Sequence, residues 1–489
     1  MSLPRRLDIL SGFVPELMLD MAKVYPFRAL RYNREKIGDL AAVLTQPYDK
    51  ITPEMQERYY ARSPYNFVRV ILGKKFPEDT ETDNVYTRAR EELQRWVREG
   101  VLVADRAPAI YAYFQTYRVP PDGPVKMRKG FLALGQLEDF ERGVIFPHER
   151  TLRGPKEDRL QLLRATRAQL EPIFMLYDDP EFEIHALLDR CTSGPPEVDV
   201  TDEYGVEHRL WPLYAPDVIE EIQRLMAPRQ LVIADGHHRY ETALIYRDER
   251  RAQAGRGDDQ APYERMLMAF FNWRDEGMTI LPTHRLIVGL KAWDPKRFFD
   301  FIAHHFEVTR LPFGDPSAEA LASLRARLAE EGQRRMTFGV MLAGSPAFHL
   351  LALRPTAATE RALEVLTPQE RTLETAVLHR LLIEGGLGMS EEDIQAGRHI
   401  VYVREFEEGA RAVWQGRAQL GFFLNPTRVE RVYTLALSGR LMPQKSTDFY
   451  PKLLSGLVLY PLEELGSGGE ANPLPMKDRS AITDLKRRA

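Results

Sequence analysis

The spacing of apolar and polar positions changes along this chain, and it predicts segments of strand that alternate with segments of helix. The runs IYAYFQTYRV (110–119) and KGFLALGQLEDF (129–140) are typical of strands, and the PPDGP between them predicts a hairpin. Residues 83–100 instead carry apolar groups at helical spacing. MLMAFFNW (266–273) and GMTILPTHRLIVG (277–289) are two further apolar runs. Interleaved strands and helices of this kind predict a mixed α/β (α+β) fold.

Beyond Gly289 the pattern changes, and residues 294–335 are mostly charged with helical spacing, which predicts amphipathic helix. Strands and helices then alternate again through 336–440. A chain of 489 residues exceeds what one hydrophobic core usually organises, so we expect a boundary near residue 310. The expected parts are an N-terminal extension at 1–20, an α/β core at 21–310, a C-terminal α/β domain at 311–465 and a flexible tail at 466–489.

Composition and charge argue against several classes of protein. Lys plus Arg is 67 and Asp plus Glu is 71, and the resulting net charge of -4 gives no overall attraction to nucleic acid or to an anionic membrane. No apolar run reaches about 18 residues and the N-terminus lacks a signal-peptide pattern, so we expect neither membrane spanning nor secretion. The one cysteine, Cys191, cannot form an internal disulfide, and a cytoplasmic location is expected. The sequence does not indicate an oligomeric state.

The densest chemistry lies in RQLVIADGHHRYETALIYR (229–247), an apolar strand that runs through Asp235-Gly236-His237-His238-Arg239 into a helix. The free N–H groups and the dipole at the start of a helix attract anions, and Gly236 lets the backbone approach one closely. Arg239 can bind a phosphate through two parallel hydrogen bonds. The pattern therefore predicts a phosphate-binding loop.

Asp235 and the two histidines leave alternatives open within that loop. Asp235 can coordinate Mg²⁺ or accept a proton from a substrate hydroxyl. His237 and His238 should diverge by about 100° on a helix, so we expect one to face phosphate and the other to pack rather than both to bind one metal. The competing interpretation is structural: Asp235 caps the helix and both histidines are buried and hydrogen-bonded.

Two other segments carry candidate residues for the same chemistry. Glu149, in the turn PHER, is a candidate catalytic base; the alternative is an ordinary solvated carboxylate. The C-terminal PQKSTDFYPK provides ammonium and hydroxyl donors suited to an oxyanion, without the glycine frame of a Walker loop. An ordinary basic surface loop is the alternative there. The donors in question are Lys445, Ser446, Thr447 and Lys452.

Several strings along the chain resemble one family. They are PYDKITPE, HERTLRGPKEDR, IADGHHRYETAL, ILPTHRL and MPQKSTDFYPKLLSGLV, and together they extend over about residues 24 to 461. In these strings the chain resembles the uncharacterised prokaryotic family known as domain of unknown function 1015. The resemblance covers nearly the whole sequence and implies no particular activity.

The loop has a second, more local resemblance. Gly236, His238 and Arg239 are similar to the G-x-H-R phosphate loop of the ParB and sulfiredoxin superfamily, with His237 in the variable place. That superfamily includes nucleotide-dependent free serine kinases, which use a glutamate as base toward the serine hydroxyl. The resemblance implies a ParB/sulfiredoxin-like core and phosphates of ATP or ADP, with Mg²⁺, on the loop. Glu149 is the candidate for the base.

The sequence thus favours a nucleotide-dependent phosphotransferase that acts on a small hydroxylated metabolite, with free serine or phosphoserine implied by the resemblance alone. Glu149, Asp235 and His238 are the predicted catalytic residues, and Asp235 is also the predicted metal ligand. The predicted phosphate ligands are Gly236, His237, Arg239, Lys445, Ser446, Thr447 and Lys452. A metal-dependent hydrolase using Asp235 and His238, a ParB-like nucleotide-binding regulator and a non-catalytic binding protein remain as alternatives.

Overall fold

The computed structural model describes residues 21–149, 153–255, 258–291, 293–395, 397–443 and 445–465. The N-terminal extension predicted at 1–20 and the tail predicted at 466–489 lie outside the described residues. Helices and strands are interleaved throughout the described part of the chain, which confirms the mixed α/β class.

Within the described ranges, the strands fall into two larger sheets and three short pairs. In chain order they are β1 (Val24–Tyr25), β2 (Leu30–Tyr32), β3 (Leu102–Ala104), β4 (Ile110–Arg118), β5 (Val125–Gln136), β6 (Ile145–Phe146), β7 (Ala168–Gln169), β8 (Ile173–Tyr177), β9 (Val198–Thr201), β10 (Glu207–Leu213), β11 (Leu231–Asp235), β12 (Arg265–Asn272), β13 (Thr279–Leu281), β14 (His284–Ile287), β15 (Phe306–Pro312), β16 (Thr337–Leu342), β17 (Ala347–Leu353), β18 (Ile400–Val403), β19 (Leu420–Phe423), β20 (Asp448–Tyr450) and β21 (Tyr460–Pro461).

The α-helices cover the faces of the sheets and the connections between strands. They are α1 (Arg34–Ile37), α2 (Pro53–Arg62), α3 (Val68–Ile71), α4 (Val85–Arg98), α5 (Arg153–Thr166), α6 (Glu183–Cys191), α7 (Pro216–Met226), α8 (His237–Ala254), α9 (Pro295–Ile302), α10 (Ala318–Arg334), α11 (Ala357–Ala362), α12 (Glu374–Val377), α13 (Glu391–Gln395), α14 (Phe406–Trp414) and α15 (Val429–Leu437). A π-helical segment, Leu378–Gly386, continues α12.

The first sheet has nine strands in the order β6-β11-β8-β12-β5-β4-β10-β9, with β1 paired to β5. The predicted hairpin is present as β4 and β5, which pair antiparallel. Apolar side chains alternate between the two faces, as the pleat of a strand requires. In β12, Leu267 and Ala269 belong to one hydrophobic core and Met268 and Phe270 to the other. This sheet is therefore buried on both faces, and the loops at its strand ends can form pockets.

The second sheet has six antiparallel strands in the order β15-β17-β16-β19-β14-β18. Its strands lie on both sides of residue 310, and the domain boundary predicted there stays a prediction. The helix predicted over 294–335 is wrong in its middle, where β15 separates α9 from α10. β15 is an edge strand whose residues are mostly exposed, so it lacks the apolar alternation that would have indicated a strand.

The C-terminal segment returns to the first part of the molecule. β20 pairs with β13 and β21 pairs with β7, both antiparallel. Phe449 and Leu459 are buried in the same core as Phe271 of β12. This return brings residues 445–452 beside the loop that follows β11.

Candidate functional site

The loop after β11 has the geometry of a tight strand-to-helix connection. β11 lies between β6 and β8 in the first sheet and ends at Asp235, and α8 begins at His237. Gly236 has a φ of 98° and no side chain caps the helix. A Cβ at Gly236 would lie 2.9 Å from Cδ1 of Ile173 and 3.0 Å from Nη2 of Arg239. Glycine is therefore required here both for its conformation and for space, and it, rather than Asp235, occupies the N-cap position.

A polar cavity of about 240 Å³ lies in front of this loop. Its walls come from distant parts of the chain: the turn after residue 47, the loop at 235–239, the end of β18 in the second sheet, and the C-terminal return. The residues that line it are Tyr48, Asp49, Lys50, Glu149, Ala234, Asp235, Gly236, His237, His238, Arg239, Thr283, Tyr402, Arg404, Lys445, Thr447, Asp448 and Lys452.

Lys452 joins two carboxylates at the base of the cavity. Its Nζ lies 3.0 Å from Oδ2 of Asp235 and 3.1 Å from Oδ1 of Asp448. Burial by itself would raise the pKa of Asp235, yet the charges of Lys452 and Arg239 prevail and hold that pKa well below its usual range. Burial would likewise lower the pKa of Lys452, but the two carboxylates raise it. Asp235 is thus ionised and Lys452 charged at neutral pH.

Asp448 also holds two more cations. Lys50 Nζ lies 3.5 Å from Oδ1 of Asp448, and Arg404 Nε lies 2.6 Å from Oδ2. Burial and the neighbouring charge of Lys452 lower the pKa of Lys50 to about 8, and Asp448 offsets this only in part. We call Lys50, Arg404, Asp448 and Lys452 the cation cluster. Burial is the main cause of the low pKa of Lys50, and the neighbouring positive charge adds to it.

Arg239 lies beneath the loop with its guanidinium largely buried. Its Nη1 donates a hydrogen bond of 2.7 Å to the carbonyl of Pro172 and lies 3.9 Å from Oε2 of Glu171. The side chain keeps 13% exposure at the cavity wall. Burial would lower the pKa of Arg239, but Glu171 and Asp235 raise it. Arg239 therefore contributes positive charge to the cavity, while its Nη1 holds the side chain against Pro172 and Glu171.

The histidines pack against each other at one side of the loop. Nδ1 of His148 donates to the carbonyl of Ile233 at 2.6 Å, so its Nε2 accepts the hydroxyl proton of Thr447 at 2.8 Å. The backbone N–H of His148 donates to Nε2 of His237 at 3.2 Å. Burial lowers the pKa of His148 to about 4 and lowers that of His237 well below its ordinary value. Both rings are neutral and tie the loop to the Thr447 segment.

His238 and the loop around Lys445 complete the wall. His238 lines the cavity, and burial lowers its pKa. Ser446 does not line the cavity; its Oγ donates to the carbonyl of Pro443 at 2.6 Å and the side chain is buried. Lys445 adopts a left-handed φ of 57°, and the buried Arg285 donates to its carbonyl at 3.1 Å.

Glu149 faces the cavity from the turn before α5. Its Oε1 accepts the backbone N–H of Lys445 at 2.8 Å, and Oε2 lies 4.0 Å from Nε2 of His148. Burial raises the pKa of Glu149 to about 7, although the Lys445 N–H and ammonium oppose the shift. A carboxyl group with this pKa can take up and release a proton near neutrality.

The structure brings nine of the ten predicted site residues to one cavity and leaves out Ser446. Their roles stay predictions. Lys50, Arg404 and Asp448 are pocket residues that the sequence reasoning missed. Asp448 lies within the PQKSTDFYPK segment and Lys50 within PYDKITPE, so both were close to recognised strings. No sequence pattern pointed to Arg404, because only the packing of the second sheet brings it to the cavity.

None of the described residues form a group of three or more His, Cys, Asp or Glu side chains placed to hold a metal ion. In the part of the chain that the structure covers, each helix is too short or too polar to cross a bilayer. The cytoplasmic location stays a prediction.

Residues 24–380 match the family described as "Protein of unknown function (DUF1015)". The chain belongs to this family. The match confirms the resemblance seen in the sequence strings and includes the loop at 235–239, while Arg404 and the C-terminal return lie beyond the matched range. No curated protein matches the sequence.

Three solved structures are similar to this chain, each with a TM-score below 0.35. A conserved hypothetical protein from Pyrococcus furiosus is 14% identical, covers 68% of this chain and 97% of its own, and has a TM-score of 0.32. A free serine kinase in complex with AMP is 13% identical over 68% of this chain and 93% of its own, with a TM-score of 0.33. SbnI from Staphylococcus aureus, with a C-terminal truncation, is 10% identical over 73% and 94%, with a TM-score of 0.31.

Proposed function

We propose that this chain binds a nucleotide through its phosphates in the cavity and transfers a phosphoryl group between the nucleotide and a small hydroxylated metabolite. The observation that carries the proposal is the cation cluster. Lys50, Arg404 and Lys452 come from three distant parts of the chain and converge on the single carboxylate of Asp448. Phosphoryl transfer depends mainly on positioning and on neutralising phosphate charge, and a cluster of this kind supplies both.

The charge balance of the cavity supports an anionic ligand. Five Lys and Arg side chains line it against four Asp and Glu side chains, so positive charge exceeds negative charge by one. The pKa of Lys50 is lowered first by burial and then by the charge of Lys452. A phosphate placed among these groups stabilises the charged form of Lys50, and the N-terminal end of α8 attracts the same anion.

The size of the cavity supports phosphates and a small acceptor as its contents. At about 240 Å³ it is smaller than the roughly 300–1,000 Å³ of pockets that enclose a whole drug-sized ligand. The phosphates and the acceptor hydroxyl fit such a volume, and the nucleoside then extends out of it.

Glu149 is the residue best suited to accept the hydroxyl proton. Its Oε1 is held by the Lys445 N–H, and its pKa of about 7, raised by burial, matches proton transfer near neutral pH. In the direction of phosphorylation, the acceptor oxygen forms the new bond to phosphorus, the nucleotide leaves as the diphosphate, and Glu149 receives the hydroxyl proton. Asp235 is a weaker candidate for the base because the bond to Lys452 holds its pKa well below the usual range.

Mg²⁺ fits the cavity as an ion brought by the nucleotide. Mg²⁺ is commonly held by one or two carboxylates together with substrate phosphates. Asp235 and Asp49 would supply the carboxylates, and among the described residues no hydrogen bond or ion pair engages the carboxylate of Asp49. When bound, Mg²⁺ would neutralise charge on the phosphate oxygens.

Thermal shift measurements with AMP, ADP, ATP and CTP, each with and without Mg²⁺, test the binding part of the proposal. A ligand that binds only the folded state stabilises it by RT ln(1 + [L]/Kd), so adenine nucleotides should raise the melting temperature in a concentration-dependent way. The absence of any shift at millimolar nucleotide contradicts the proposal.

Product analysis tests the transfer. Serine with ATP and phosphoserine with ADP are the first pairs to try, because the loop resembles that of the superfamily that includes free serine kinases. Phosphorus NMR should show a new phosphomonoester or its loss. Nucleotide binding without turnover of either pair removes serine from the proposal and leaves the phosphate site standing.

A further inference from the structure

Arg128 is a wholly buried arginine in β5 that contacts the backbone of the segment carrying Lys452. Its side chain has 0% exposure, and its guanidinium lies between the rings of Phe174 and Phe271, at 4.6 and 4.7 Å from their centroids. Among the described residues, no carboxylate lies within ion-pair distance of it. A buried charge without a counter-ion is destabilising unless its donors are satisfied. The groups that accept hydrogen bonds from Arg128 therefore indicate its role.

Those groups are backbone carbonyls next to Lys452. Arg128 donates to the carbonyl of Tyr450 at 3.2 Å and to that of Pro451 at 2.7 Å. It also donates through Nε and Nη2 to Oε1 of Gln115, whose Nε2 donates to the carbonyl of Lys452 at 2.9 Å. Arg128 and Gln115 together therefore hold three consecutive carbonyls.

These contacts begin where the strand pairing of the segment ends. β20 pairs with β13 through Asp448, Phe449 and Tyr450, and Phe449 is already buried in the core. The strand thus has its own anchors, while Pro451 and Lys452 lie beyond the pairing. Arg128 and Gln115 supply the hydrogen bonds that fix this extension.

We propose that Arg128 is a positioning residue that, together with Gln115, fixes the Lys452 ammonium between Asp235 and Asp448 in the cation cluster. The inference rests on the proposed phosphate-binding function of that cluster. A lysine side chain has a flexible four-carbon stem, so the position of its ammonium depends on how firmly its backbone is held. An arginine suits this task because its planar fork donates to several carbonyls at once.

The test uses two variants of the full-length chain and one control. Arg128→Met keeps an apolar side chain between the two phenylalanines and removes every donor. Gln115→Glu keeps the acceptor for Arg128, gives it a counter-ion and removes the donor to the Lys452 carbonyl. Arg247→Met is the control. Arg247 is another buried arginine, which lies in α8, donates a hydrogen bond to Asp139 and does not line the cavity.

Calorimetric titration with inorganic pyrophosphate at pH 7 gives the first readout. Because the ammonium loses its alignment, both Arg128→Met and Gln115→Glu should weaken binding roughly tenfold, as expected for the loss of about one charge-assisted contact. Arg247→Met should bind as the wild type does. If Arg128→Met does not fold, Gln115→Glu decides, because the new ion pair with Arg128 supports its fold.

A double-mutant cycle with Lys452→Met gives a readout that a purely structural role would not move. If Arg128 and Gln115 act through the Lys452 ammonium, adding Gln115→Glu to Lys452→Met should leave the pyrophosphate affinity of the Lys452→Met chain unchanged, whereas an independent effect would add to it. Wild-type affinity in Gln115→Glu, or a further tenfold loss of affinity in the Lys452→Met background, overturns the inference. Failure of the wild-type chain itself to bind pyrophosphate overturns the proposed function instead.

Discussion

Glu149 and Lys50 face the same cavity with pKa values moved toward neutrality from opposite sides. Burial raises the pKa of Glu149 to about 7, and burial with the charge of Lys452 lowers that of Lys50 to about 8. Near neutral pH, therefore, either group can gain or lose a proton at a small cost in free energy. This is the behaviour that proton transfer during phosphoryl transfer requires.

Replacing Glu149 by Gln tests the raised pKa through stability. The folded pKa lies above the unfolded one, so the acid adds stability below about pH 4.5 that is lost as the pH rises through about 7. Across that window the wild type should lose on the order of 3 kcal/mol relative to Glu149→Gln, since one pKa unit corresponds to about 1.4 kcal/mol. Urea denaturation at a series of pH values measures this difference. Glu181→Gln, at an exposed position, is the control for the substitution itself. A difference between the wild type and Glu149→Gln that stays constant with pH contradicts the raised pKa.

Replacing Lys50 by Met should weaken pyrophosphate binding without lowering the stability of the fold. Its folded pKa is lowered, so keeping the ammonium charged below about pH 8 opposes folding, and this penalty fades as the pH rises from about 8 to 10.5. At pH 7, the free energy of unfolding of Lys50→Met should equal that of the wild type or exceed it by up to about 2 kcal/mol. Pyrophosphate affinity should fall roughly tenfold because one cation is lost. A marked loss of stability with unchanged affinity would show that Lys50 is structural.

At the scale of elements, the β11–α8 connection depends on Gly236. Gly236→Ala places a Cβ against Ile173 and the Arg239 guanidinium at a φ of 98°. Gly255→Ala, at the other end of α8, has a φ of 72° and open space around the new Cβ, so it measures the cost of conformation alone. We expect both to lose about 1 kcal/mol, and Gly236→Ala to lose a further 1–2 kcal/mol together with pyrophosphate binding. Equal losses of stability and unchanged binding in both variants contradict a role of the loop in the site.

Sequence patterns identified elements whose signals are local. The apolar run before Asp235, the glycine after it and the helical spacing that follows indicated the strand, turn and helix correctly. β15 was missed because an exposed edge strand carries few apolar residues to alternate. Lys50 and Arg404 were missed because each is an ordinary polar residue until Asp448 is placed between them. Ser446 looked like a phosphate ligand beside Lys445, but its hydroxyl is used within its own turn.

At the scale of the whole molecule, the cavity exists only once distant parts of the chain have assembled. Lys50 comes from near the start of the described chain, Arg404 from the edge of the second sheet, and Lys452 from the C-terminal return. β20 and β21 anchor that return to β13 and β7. We therefore expect a ligand that bridges the cluster to stabilise the chain as a unit.

We propose that the cation cluster and the loop at 235–239 bind nucleotide phosphates. Calorimetric titration of the wild-type chain with ADP and Mg²⁺ at pH 7, repeated in the presence of pyrophosphate, measures this binding. We expect saturable binding of ADP that pyrophosphate competes away. An absence of binding up to millimolar ADP, or binding that pyrophosphate leaves unchanged, would contradict it.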